Sequence, residues 1–188
     1  VQSAASAPEA NPAAPLSAWE TVMPGRGSGG YRVSPDGAKI AWTGTRWWRA
    51  TLFVRDNRDG SMRYFRARGA ARWSPDSRFL VFESDTSGTE STHVYAIDTD
   101  TGAERDLTPY GGVKASIHRM PPGMPGQVLI THNRRKAALF DLYRVDMASG
   151  RETLVAANPG NSPGPVTRDD GALVAWAASR ASLLANPE

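Results

Sequence analysis

Val33–Trp42 reads VSPDGAKIAW, and 40 residues further on Trp73–Phe82 reads WSPDSRFLVF. Each stretch is a turn that feeds a strand. Pro35 presets φ at the second turn position, Asp36 bonds back to its own backbone, and Gly37 takes a left-handed exit. Self-similarity at a period near 40, with strand chemistry inside each unit, is the sign of propeller blades, each too small to bury its own faces. An immunoglobulin-like sandwich also places turns at short intervals, but it needs no such echo.

Working outward, the chain divides into units rather than unlike domains. The first, about residues 30–67, runs YRVSPDG, KIAWTGT, ATLFVRD, a turn NRDGS and MRYF: four short strands separated by turn residues. The second, about 68–110, matches it, with a polar turn DTSGTES before HVYAID. The third, about 113–158, has lost the Ser-Pro-Asp wording and carries RRKAALF, which reads as an insert before DLYRVD. A fourth begins near residue 164 with PVTRDDG and ALVAWAAS and is expected to be incomplete at 188. The second strands (KIAW, FLVF, VLI, ALVAW) are nearly continuous apolar runs, as in sheets buried on both faces. The third strands alternate more and end in Asp56, Asp98 and Asp146, which fits positions nearer the rim, with the acids opening the following turns. The expected fold is all-β: a partial propeller of about three and a half four-stranded blades. Its first and last sheets are expected to expose apolar surface, to be covered by the remainder of the same protein or by another copy of the chain.

Composition bounds the rest. The chain has 188 residues, 40% hydrophobic and 22% charged, a formal charge of +3 and no cysteine, so thiolate catalysis, disulfides and Cys-based zinc sites are excluded. Nine arginines face three aspartates between Arg46 and Arg78, among Trp47, Trp48, Tyr64, Phe65 and Trp73. The arginines fall on strand and turn positions where solvated blade edges carry charge, so no nucleic-acid partner is expected. No membrane partner, metal or other cofactor is expected. Residues 1–29 form a leader rich in Ala, Pro and Gly, read as flexible, with neither a signal peptide's basic head nor an apolar run. Such leaders follow removed export signals, so a periplasmic or secreted location is expected.

At this point the residues carry a resemblance. WSPDSRFLVFESD (73–85) with HVYAIDTDTGAERDLTP (93–109) resembles the TolB-like propeller repeat. The stretch 133–161, NRRKAALFDLYRVDMASGRETLVAANPGN, is similar to the propeller of prolyl oligopeptidase-family serine peptidases of the acylaminoacyl- and dipeptidyl-peptidase type. The likeness spans about residues 30–180. It implies a non-catalytic propeller that caps an α/β-hydrolase domain absent from this chain and filters peptide substrates by size. A stand-alone TolB-like module binding protein partners is the alternative. The paired glutamate with which the dipeptidyl-peptidase branch holds a substrate amino terminus has no counterpart, since no Glu-Glu occurs.

The chemistry agrees with a non-catalytic chain. A serine hydrolase of this kind needs a Gly-x-Ser-x-Gly elbow on a strand-to-helix turn, then an acid, then a His. No such elbow is expected: Ser28, among the glycines of GRGSGG (25–30), has no apolar strand before it and no helical pattern after it. His93, His118 and His132 have no metal-site spacing and read as packed or rim residues. Strand alternation puts the loop entering each unit and the loop between its second and third strands on one side, the side expected to face a hydrolase. That side carries Trp47, Trp48 and Arg49, then Glu90, then Arg134 and Arg135. The arginines can pair a substrate carboxylate or an acid of the catalytic domain, and the tryptophans can form an apolar wall; interdomain packing or solvation is the alternative role.

Overall fold

The computed structural model describes residues 29–66, 69–85, 91–160 and 164–177. Residues 1–28 of the leader expected at 1–29, residues 86–90 of the polar turn DTSGTES (85–91) and the tail at 178–188 lie outside the described residues, and Gly29 belongs to the first strand rather than to the leader. The first sheet holds β1 (Gly29–Val33), β2 (Lys39–Arg46), β3 (Arg49–Asp56) and β4 (Met62–Arg66) in that order. The second holds β5 (Arg72–Trp73), β6 (Phe79–Asp85), β7 (Thr92–Asp98) and β8 (Glu104–Asp106), and the third β9 (Ala115–Arg119), β10 (Gln127–Lys136), β11 (Leu139–Asp146) and β12 (Glu152–Ala156). β13 (Gly164–Thr167) pairs with β14 (Leu173–Ala177). Neighbouring strands pair antiparallel throughout, and the architecture is a partial all-β propeller.

The repeated turn works as its residues dictate. The Gly37 N–H donates to the Ser34 carbonyl at 2.8 Å, the Lys39 N–H to Ser34 Oγ at 2.9 Å, and Ser34 Oγ to the Asp36 carboxylate at 2.6 Å. The second copy repeats these bonds around Ser74, with Ser77 where the first has Gly37. Both exit residues are left-handed, Gly37 at φ 73° and Ser77 at φ 61°. Ser77 has a reason to bear the cost of that region: its Oγ accepts the Asp36 N–H at 3.0 Å and ties the first turn to the second. A second turn family links third to fourth strands. In it Asp56, Asp98 and Asp146 each accept, at the carbonyl, the N–H of a positive-φ glycine four residues on, Gly60, Gly102 and Gly150, at 2.7–2.9 Å.

The sheets stack face on face. Ala41, Leu52 and Val54 of the first pack on Leu80, Phe82, Tyr95 and Ile97 of the second, and the other face of the second, through Phe79, Val81, Val94 and Ala96, packs on Val128, Ile130, Tyr143 and Val145. β6 is therefore apolar on both faces, which is why FLVF is a continuous run. Polar bonds join the sheets as well. Glu83 Oε1 accepts from Ile117 N–H at 2.6 Å and Ser116 Oγ at 2.9 Å. His118 Nε2 lies 3.0 Å from Thr167 Oγ1, and Arg119 donates to the Thr167 carbonyl at 3.1 Å, which ties the third sheet to β13.

One reading of the sequence needs correction. RRKAALF is not an insert: Arg134–Lys136 prolong β10, Ala137 and Ala138 form the turn, and Leu139 opens β11, with Lys136 opposite Leu139. The third strands do lie next to the outermost strand of their sheets, and Leu52–Val54 and Val94–Asp98 are nonetheless buried by packing against the neighbouring sheets.

Candidate functional site

The turns divide the molecule into two ends. The Asp36 N–H to Ser77 Oγ bond, the Lys39 Nζ bond to Thr99 Oγ1 at 2.9 Å and the Gly123 N–H to Asp169 carbonyl bond at 3.4 Å gather the acid-rich turns of all four units at one end. The hairpins after β2 and β10 point to the other, and that end carries the residues singled out above.

The tip of the first sheet has an unusual backbone. Trp47 and Trp48 are the whole two-residue loop between the paired Arg46 and Arg49, and both take positive φ, 51° and 63°. This is the turn that matches the right-handed twist of a hairpin, and it ordinarily calls for Asn-Gly. Trp47 is 77% exposed and Trp48 97%. Beside them lies an open depression of about 990 Å³, lined by Arg46, Trp47, Arg49, Tyr64 and Arg66 among others. The Arg46 guanidinium sits 4.2 Å over the Tyr64 ring and 5.9 Å from that of Trp47. No carboxylate among the described residues pairs with Arg46, Arg49 or Arg66. Arg46, Tyr64 and Arg66 were missed by sequence reasoning. The available signal was register: Arg46 opposes Arg49, Phe53 opposes Tyr64 and Thr51 opposes Arg66, so all share the face turned away from Leu52 and Val54.

Arg134 and Arg135 are engaged within the chain. Arg135 grips the buried Asp141 with both Nε and Nη2, at 2.6 and 2.7 Å, and this holds the Asp141 carboxyl below the usual range. Arg134 reaches Glu152 at 3.2 Å and lies 4.0 Å over Tyr110. Glu152 also meets His132 Nε2 at 3.1 Å, and the His132 ring, fully buried, stacks on Tyr143 at 3.8 Å. Burial pushes the His132 imidazole down, while Glu152 opposes the shift. No hydrogen bond, ion pair or ring contact brings Trp47, Trp48 or Arg49 together with Arg134 or Arg135. Glu90 lies outside the described residues. His93 pairs with Asp106 at 2.7 Å, and no three metal-binding side chains cluster among the described residues. No helix of the described residues is long and apolar enough to cross a membrane.

The expected absence of an elbow motif also needs amendment. Gly160-Asn161-Ser162-Pro163-Gly164 has the Gly-x-Ser-x-Gly spelling, although residues 161–163 lie outside the described ones. Its context does not fit nucleophilic chemistry. The residue after an elbow serine supplies an oxyanion-hole N–H, and Pro163 has none. Strand β13 rather than a helix follows from Gly164, and no histidine occurs beyond His132, so Ser162 lacks a downstream base in this chain.

No protein-family model matches the sequence. Dipeptidyl aminopeptidase BIII of Pseudoxanthomonas mexicana is 31% identical over 152 residues, which cover 74% of this chain and 21% of that protein. The chain thus spans about a fifth of the length of that curated relative. Among solved structures, the β-propeller domain of the Trilobed protease from Pyrococcus furiosus has a TM-score of 0.51 at 20% identity, covering 76% of this chain and 47% of that one. TolB from Acinetobacter baumannii has a TM-score of 0.49 at 21% identity, covering 81% and 38%. The Pyrococcus likeness speaks for the fold and the Pseudoxanthomonas match for the lineage: the chain belongs to the propeller part of prolyl oligopeptidase-family peptidases.

Proposed function

We propose that this chain is the non-catalytic propeller segment of an exported serine peptidase, in which it caps an α/β-hydrolase domain and admits peptides according to size. The single observation that carries the reading is the 31% match to a dipeptidyl aminopeptidase along 74% of a chain built of stacked four-stranded sheets. The hairpin-tip end is the end assigned to the hydrolase, because the entering loops lie there and the other end is occupied by self-bonded Asp turns. The stacked sheets, with no nucleophile and base assembled among the described residues, support the reading of a filter.

The test is kinetic and uses the full product of the gene that encodes this chain. With a short chromogenic peptide and a folded protein bearing the same cleavable sequence in a loop, the reading expects kcat/KM at least 100-fold higher for the short peptide. Equal kcat/KM for the two would rule out the size filter.

A further inference from the structure

We propose that His132 is a pH-operated latch on the β10–β11 hairpin: the neutral imidazole holds the hairpin tip in place through Arg134, and protonation releases Arg134 while Arg135 stays fixed. This inference stands apart from the size-filter reading and does not require a hydrolase.

The hydrogen bonds define the closed state. The Arg134 N–H donates to His132 Nδ1 at 3.4 Å, so that nitrogen carries no proton, and Nε2 donates to Glu152 Oε2 at 3.1 Å. The ring is fully buried, stacked on Tyr143 at 3.8 Å and tilted against Tyr110 at 5.8 Å. The β10–β11 ladder shifts register just beyond it: His132 opposes Asp141, and the next pair is Lys136 with Leu139. Arg134 lies in that gap and depends on side chains for its place. Its guanidinium reaches Glu152 Oε1 at 3.2 Å and lies 4.0 Å over the Tyr110 ring.

A second proton on the imidazole has to enter at Nδ1, where it meets the Arg134 N–H donor to donor. It also sets a cation near the Arg134 guanidinium, with the single Glu152 carboxylate shared between the two. Backbone and side chain of Arg134 therefore lose support together. The charged groups acting on the ring are Glu152, Arg134 and Asp141; Tyr110 and Tyr143 are held protonated by burial, and the second sheet turns the apolar Phe79, Val81, Val94 and Ala96 toward the third. Asp141 is already committed to Arg135 and to the Asn158 N–H, which keep its carboxyl below the usual range, so the Arg135 pair survives mild acid. Burial pushes the imidazole down, so the latch is closed at neutral pH and opens on the acid side of the ordinary value of about 6.5.

The test is hydrogen–deuterium exchange with mass spectrometry on the full product of the gene that encodes this chain, from about pH 7.5 to about pH 5, corrected for the intrinsic pH dependence of exchange. Peptides spanning 132–139 are expected to lose protection at least about fivefold with a midpoint below about pH 6.5, while those spanning 79–85 and 92–98 keep theirs. His132→Gln, which offers a donor and an acceptor but takes up no proton, should abolish the pH dependence. Glu152→Gln removes the imidazolium's counter-charge and should move the midpoint to lower pH by at least about half a unit; it decides the matter where His132→Gln does not fold. The inference is overturned by protection of 132–139 that is independent of pH, by the same acid loss in folded His132→Gln, by an unmoved midpoint in Glu152→Gln, or by an equal loss across 79–85, which would be global opening.

Discussion

Replacing Trp47 by Asn together with Trp48 by Gly should raise stability although it removes two large apolar rings. The rings contribute little by burial, being 77% and 97% exposed. Each residue sits in the left-handed region, which costs a side-chain-bearing residue roughly 1–2 kcal/mol, so relief of both is worth about 2–4 kcal/mol. Against this stand the entropy of a new glycine, about 0.5–1 kcal/mol, and loss of the Arg46–Trp47 contact, about 0.5–1 kcal/mol. The balance centres on about 1.5 kcal/mol in favour of the variant, or roughly 3–6 °C in melting midpoint for a chain of this size. Thermal and urea denaturation followed by far-ultraviolet circular dichroism give the number. A loss of more than about 1 kcal/mol would refute the reasoning, since it would mean that the rings are packed or that the turn is not left-handed.

Other consequences are local. Gly37→Val should cost about 1 kcal/mol or more in urea denaturation, from backbone strain alone, because a Cβ at Gly37 meets nothing within 4 Å; an unchanged midpoint would contradict the φ of 73°. Glu83→Ala should cost about 1–3 kcal/mol by leaving the Ile117 N–H at the junction of the second and third sheets without its acceptor, and a neutral result would deny that junction. Burial holds His132 and His118 below the ordinary imidazole range. A histidine depressed in the folded state contributes stability that is complete above its unfolded pKa of about 6.5 and is lost as pH falls from there toward the folded value. The melting midpoint should therefore drop between about pH 7 and pH 5, and His132→Gln should flatten part of that slope; a wild-type midpoint independent of pH over this range would contradict it.

The legible parts of the sequence were those whose chemistry is local. Ser34-Pro35-Asp36-Gly37 specifies its turn within four residues, and the echo at Ser74–Ser77 declares a second unit. What escaped was set by partners distant in sequence or by pairing across a hairpin. Ser77 takes a glycine-like φ because Asp36, 41 residues earlier, donates to its hydroxyl. Arg135 faces Asp141 only once β10 is known to run on to Lys136, and a charged run read as an insert hides that pairing. At the candidate site Trp47, Trp48 and Arg49 were visible as an aromatic and basic run. Arg46, Tyr64 and Arg66 join them only through strand register, which turns alternate residues of three strands to one face.

We propose above that this chain is the non-catalytic propeller part of a serine peptidase. The most direct measurement is labelling with a serine-reactive fluorophosphonate, followed by mass-spectrometric mapping, on the 188-residue chain and on the full product of the gene that encodes it. No labelled serine is expected within residues 1–188, Ser28 and Ser162 included, and one stoichiometrically labelled serine is expected elsewhere in the full product. Stoichiometric labelling of any serine within this chain, or a full product that takes no label at all, would contradict it.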